Sequence, residues 1–195
     1  MLVIDDLQPF DILLSYKKPA SGLWPLSRPL NQFFDSRLIE RQREEYPGGS
    51  IEWNHVRIFL GYGVQDVPVF TPVRTPLVGE ATFPLSKVSV LKPWMLNPSY
   101  CTVYRCTYPI VDPGEAFSEA LALTGTLYDV GQLFAMYTGW RRFDWGQRNL
   151  VCSVYARYIL ETATSMSFDS PETPTLNETL PAFFANTPRI LSRIS

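Results

Sequence analysis

"NHVRIFLGYG", residues 54–63, carries the only histidine of the chain at the head of a short apolar run that ends in a glycine turn. Between residues 53 and 60 the side chains alternate. Val56, Ile58 and Leu60 share one face of an extended segment, and Trp53, His55, Arg57 and Phe59 share the other. Such a segment is a strand with one side to bury and a second side that bears chemistry, and the rest of the chain reads outward from it.

Upstream, "FDILLSY" (10–16) is an apolar run with the length of a buried strand, followed by a Pro-containing aromatic stretch from Lys17 to Pro29. "LNQFFDSRLIERQREEY" (30–46) spaces Phe33, Phe34, Leu38 and Ile39 near a helical period, and Pro47-Gly48-Gly49 stops it. Downstream, short strands are predicted at Val67 to Phe70, Leu77 to Thr82, Val88 to Leu91 and Tyr100 to Tyr108, separated by Gly, Pro and Asn turns. Their connections are too short for helical crossovers, so the sheet is expected to be antiparallel.

After Val111 the pattern turns helical. "DPGEAFSEALALTG" supplies Asp112 as N-cap, Pro113 at the first helical position and Glu115 at the third, which predicts a helix to about Leu123. A second helical piece is expected over Tyr128 to Tyr137, through Val130, Leu133 and Phe134. In "RNLVCSVYARYILETA", Val151, Val154, Tyr155, Tyr158 and Ile159 recur at helical spacing, with Asn149 as the expected cap. Ser165 to Pro181 reads as a loop. Strands first and helices after define an α+β fold, an antiparallel sheet packed against helices.

A chain of 195 residues, 46% hydrophobic and 18% charged, is long enough to bury a core, and a single domain spanning 1–195 is expected. The net charge of −2, with no block of like charges, provides no basic stripe for a phosphate backbone, so nucleic acid is not the expected partner. No stretch reaches the roughly 18 apolar residues of a membrane span. The opening Met1-Leu2-Val3-Ile4-Asp5-Asp6 lacks a basic leader and an unbroken apolar region, so a soluble, cytoplasmic chain is expected. Three cysteines, Cys101, Cys106 and Cys152, favour reduced thiols over a disulfide framework.

If Asn149 caps its helix, Cys152 falls at the third position, where unpaired amides and the helix dipole stabilise a thiolate. A thiolate nucleophile needs a base to take its proton and return it to the leaving group, and His55 is the one imidazole that can serve. A third polar group usually orients the ring. Glu80, in "PLVGEAT", is the first candidate and Asn54 the second. A glutamate in an apolar strand needs a partner, and an ion pair with Arg57 or Arg105 would satisfy it equally. A buried cysteine on an amphipathic helix and a lone histidine also have purely structural readings. Zinc is not expected. Cys101 and Cys106 fall on opposite faces of their predicted strand, and no two-residue cysteine knuckle occurs. Nor is there a glycine-rich phosphate loop, a GxSxG elbow or an HExxH, and no cofactor is expected.

"FDILLSY", "NHVRIFLGYG", "LVGEAT", "LYDVGQLF", "NLVCSVYARYIL" and "TLPAFFANTP", in that order, resemble the motifs of the circularly permuted NlpC/p60 papain-like proteins, which include the YiiX/YebB-like and lecithin:retinol acyltransferase-like (LRAT-like) hydrolases. The resemblance runs from Asp11 to about Pro188. It implies a papain-like cysteine hydrolase with Cys152 as nucleophile, His55 as base and Glu80 as polar partner, the backbone amide of Cys152 helping to form the oxyanion hole. An amidase or peptidase is favoured over an ester or thioester hydrolase. Asn54, Trp53 and Tyr16 are the candidates for contacting a small acylated, peptide or lipid substrate. Three positions depart from the group's pattern: Phe10 where glycine is usual, Arg57 where a small residue is common, and Val154 where an acidic residue is usual. Two further readings follow. One is lipid acyl transfer or phospholipase action, as in the acyltransferase branch, for which "SGLWPLSRPLNQFF" would touch the bilayer. The other is an inactive binding module with the same fold.

Overall fold

The computed structural model describes residues 3–16, 27–50, 52–65, 73–82, 84–129, 150–170, 176 and 179–194, with the backbone alone at 27–35, 64–65 and 73. Its six-stranded sheet comprises β1 (Ile12–Ser15), β2 (His55–Gln65), β3 (Val73–Ala81), β4 (Ser86–Val90), β5 (Cys101–Cys106) and β6 (Leu191–Arg193). The strands stand in the order β4-β3-β2-β1-β5-β6, and every ladder is antiparallel, as the short connections predict. The uninterrupted apolar run of β1 follows from its place between β2 and β5. Ile12, Leu13 and Leu14 are buried on both faces of the sheet.

Alternation along the strands builds two cores. Val56 and Ile58 of β2 join Ile12, Leu14 and Ala81 in the larger one, and Leu13, Phe59, Val78, Cys101 and Val103 form the smaller one behind the sheet. Full burial of each Leu, Ile or Phe contributes roughly 1.5–3 kcal/mol, so these two faces carry most of the stability. The β2–β3 register shifts between Phe59 and Gly61, where Gly61 takes φ +93°, the left-handed backbone that such a bulge needs.

Four α-helices are described: α1 (Ser27–Glu45), α2 (Pro113–Ala122), α3 (Cys152–Thr164) and α4 (Phe183–Asn186). The Asp112 side chain caps α2 by accepting from the Glu115 backbone N–H at 3.0 Å, with Pro113 in the first turn, the arrangement read from the sequence. The helix α3 packs across β2 and β3 with Tyr155, Ile159 and Leu160 in the larger core. Glycine at position 79 permits this approach, because a Cβ there would lie 2.5 Å from the Tyr155 hydroxyl. At the far end α3 stops at Ser165, which adopts φ +52°.

Two sequence expectations need correction. The N-cap of α3 is Val151, extended at φ −94° and ψ 162°, so Cys152 occupies the first helical position rather than the third; Asn149 lies outside the described residues. The chain at Tyr128 is extended, in a parallel bridge to Leu150, so no helix begins there; 130–137 is outside the described residues, as is the strand expected at 67–70. The short elements α4 and β6 carry too few residues to show a period.

Phe10 occupies the left-handed region at φ +71° with its side chain buried. That backbone state suits glycine and is costly for a residue with a Cβ. Just beyond it, the buried Asp11 carboxylate accepts from Arg105 Nε at 2.9 Å and Nη2 at 2.7 Å, tying the entry of β1 to β5. Among the described residues no helix is long and apolar enough to cross a membrane.

Candidate functional site

His55 is the first residue of β2 and lies opposite Ser15 of β1. The β2–β3 ladder sets Ile58 against Gly79, which brings Arg57 beside Glu80 and leaves His55 on the diagonal. His55 Nε2 is 2.7 Å from Glu80 Oε2, with both side chains buried. The Arg57 Nε stands 2.7 Å from the same oxygen, an ion pair in which Nε makes no well-aligned hydrogen bond. Arg57 Nη1 donates to Ser15 Oγ at 2.9 Å. Lys87, paired with Glu80 across the β3–β4 ladder, places Nζ 3.3 Å from Oε1.

Four strands thus contribute to one charged cluster on the sheet face that also carries Leu13, Phe59 and Val78. Burial alone would push the Glu80 carboxyl up. The hydrogen bond and charge of His55, with the charges of Arg57 and Lys87, outweigh that and bring it down to about 2. Glu80 is therefore ionised at neutral pH and can only accept. With the imidazole uncharged, the shared proton belongs to His55 Nε2, which makes Nδ1 the basic nitrogen.

Cys152 is buried at the first position of α3, in the larger core. The N-cap Val151 makes no side-chain cap and the first turn of α3 holds no acidic residue, so the helix itself supplies nothing that offsets the positive end of its dipole. The direction of α3 places its N-terminus at the His55 end of the sheet. Leu150 is bridged to Tyr128, whose N–H donates to Pro84 O just past the end of β3, whereas at the other end Ala163 O accepts from Val111 beyond β5. The structure thus brings His55, Glu80 and Arg57 together on one sheet face, and it places Cys152 at the same end of the sheet but in the helical layer packed on the opposite face.

The other two thiols are of a different kind. Cys101 lies on the His55 face, two strands away across Ser15, but burial pushes its thiol up to about 12 despite the opposing Arg57 charge. Burial also raises the Cys106 thiol, against a backbone hydrogen bond from Tyr108. Cys101 and Cys106 fall on opposite faces of β5, as their spacing predicts.

Tyr16 and Trp53, expected to meet substrate, line an open cavity of about 570 Å³ together with Tyr100 and Cys101, with Arg43 and Glu52 also at its wall. Asn54 is half-buried, and its backbone N–H donates to Ser15 O at 3.3 Å. Of the two candidates for orienting the imidazole, Glu80 is the one hydrogen-bonded to Nε2. Arg105 pairs with Asp11 instead. Sequence reading did not single out Ser15 or Lys87; the cross-strand register that brings them in is the missing signal. Among the described residues no three His, Cys, Asp or Glu side chains converge as metal ligands. Compared with known proteins, the sequence matches no family model and no curated protein.

Proposed function

We propose that this chain is a papain-like cysteine hydrolase of the permuted NlpC/p60 kind, cleaving an amide, ester or thioester through an acyl-enzyme on Cys152. His55 Nδ1 takes the thiol proton as sulfur bonds to the carbonyl carbon. The oxyanion is held by peptide N–H groups at the start of α3, that of Cys152 among them. When the C–N, C–O or C–S bond breaks, the imidazolium returns the proton to the leaving group. Water, deprotonated by the same nitrogen, then releases the acid and restores the thiol. The acyl or peptidyl portion of a small substrate would rest in the cavity walled by Tyr16, Trp53 and Tyr100.

One observation carries this reading: an imidazole fixed through Nε2 on an ionised, buried carboxylate, at the sheet end to which an uncapped helix delivers a cysteine. The test is alkylation with iodoacetamide at pH 6, located by peptide mass mapping. Cys152 is expected to react about tenfold faster than Cys106, and His55→Ala to abolish that advantage. Equal modification of Cys152 with and without the histidine would overturn the assignment.

A further inference from the structure

Glu80 Oε2 is shared. His55 Nε2 and Arg57 Nε each lie 2.7 Å from it, so the two nitrogens are at most about 5.4 Å apart. A carboxylate facing an imidazole alone orients it and also makes it a stronger base. Here the single negative charge meets the guanidinium on one oxygen and the Lys87 ammonium 3.3 Å from the other. Arg57 is in turn held from β1, where its Nη1 donates to Ser15 Oγ at 2.9 Å.

We propose that Arg57 is a positioning residue that fixes the Glu80 carboxylate while cancelling its charge, so that His55 is oriented by Glu80 without being held as an imidazolium. The proposal rests on the reading of His55 as the base. It makes His55 a neutral proton acceptor at pH 7, charged only during turnover, rather than half of a resting thiolate–imidazolium pair. Arg57 stands at the register position that faces Glu80. A guanidinium at that register position is beside the carboxylate, and a small side chain there would leave the full negative charge to the histidine. Further charged or titratable groups at this end of the sheet are Arg57 from β2, Glu80 from β3, Lys87 from β4, Cys101 from β5, Cys152 and Tyr155 from α3, Asp129 beside the start of α3, and Arg43 and Glu52 at the cavity wall. Of these, Arg57 and Lys87 are the cations on Glu80.

Because the chain has one histidine, its imidazole Hε1 proton is a single NMR resonance that reports the His55 titration directly. Arg57→Met is expected to raise the midpoint by on the order of one unit, and Arg57→Lys to leave it near the wild-type value. An unchanged midpoint in a folded Arg57→Met protein, or equal shifts in both variants, would overturn the proposal. The wild-type titration decides even if Arg57→Met fails to fold. A midpoint at or below the ordinary value near 6.5 is expected, and one well above 7 would show an uncompensated carboxylate and refute it. The titration needs no turnover. A normal Cys152 alkylation advantage with no Arg57 effect removes Arg57 alone, and the converse result removes the hydrolase reading and leaves the electrostatics standing.

Discussion

Replacing Glu80 with glutamine removes the one negative charge on which His55, Arg57 and Lys87 converge. The cost is readable from proton binding. Despite the upward push of burial, the hydrogen bond and charge of His55 and the charges of Arg57 and Lys87 bring the native carboxyl from 4.5 to about 2. The folded value is the lower one, so the stabilisation is complete above about pH 4.5 and disappears as the pH falls toward 2. A drop of that size corresponds to about 3 kcal/mol, and about 2 kcal/mol of it is gone by pH 3, where an unfolded glutamate is nearly all protonated and the native one nearly all ionised. Urea unfolding followed by tryptophan fluorescence, on wild type and Glu80→Gln at pH 7, 5, 4 and 3, measures the difference in stability at each pH. Other carboxylates contribute equally to both proteins and cancel. The gap is expected to be largest near pH 5, where Glu80 is ionised and His55 is charged, and to shrink by about 2 kcal/mol between pH 5 and pH 3. Two parallel stability curves over that range would show that Glu80 is not held by the cations around it.

Arg157 is wholly buried, with Nε on Glu161 at 2.8 Å, Nη2 on Asp169 at 2.6 Å, Nη1 on Thr179 Oγ1 at 3.0 Å and its guanidinium over the Phe183 ring. Arg157→Ala is expected to cost about 3–5 kcal/mol in urea unfolding and Arg157→Met only somewhat less, because methionine refills the space but removes the cation that Glu161 and Asp169 face; a loss below 1 kcal/mol for alanine would contradict the role of this hub. Phe10→Gly relieves a left-handed backbone worth about 1–2 kcal/mol but empties a buried aromatic site worth about 3–5 kcal/mol, so a net loss of about 2–3 kcal/mol is expected in the same assay. A variant more stable than wild type would mean that the ring contributes little.

What the sequence discloses and what it withholds divide along a physical line. Alternation over 55–60 is local, so the faces of β2 are legible, with Val56 and Ile58 in one core and Phe59 in the other; Trp53, expected on the His55 face, precedes the strand and packs against the larger core instead. The Asp112 cap is legible for the same reason, since donor and acceptor lie three residues apart. The start of α3 is not. Asn149 has the better capping side chain, but the chain enters the helix through an extended Val151, and no side-chain preference reports that. The site is intermediate. The histidine, its candidate carboxylate and Arg57 as a rival partner are visible as residue types, yet their meeting on one oxygen is a matter of register. Moving β3 by one residue along β2 would turn Glu80 to the helical face and bring Gly79 or Ala81 in its place. The bulge that resets this ladder lies between Phe59 and Gly61, on the side of Arg57 away from His55, so the stretch joining Arg57 to Glu80 keeps regular pairing and the carboxylate stays on the side of the imidazole. Ser15 and Lys87 enter by the same route through the β1–β2 and β3–β4 ladders. The charge balance around His55 is therefore a property of three strand registers at once.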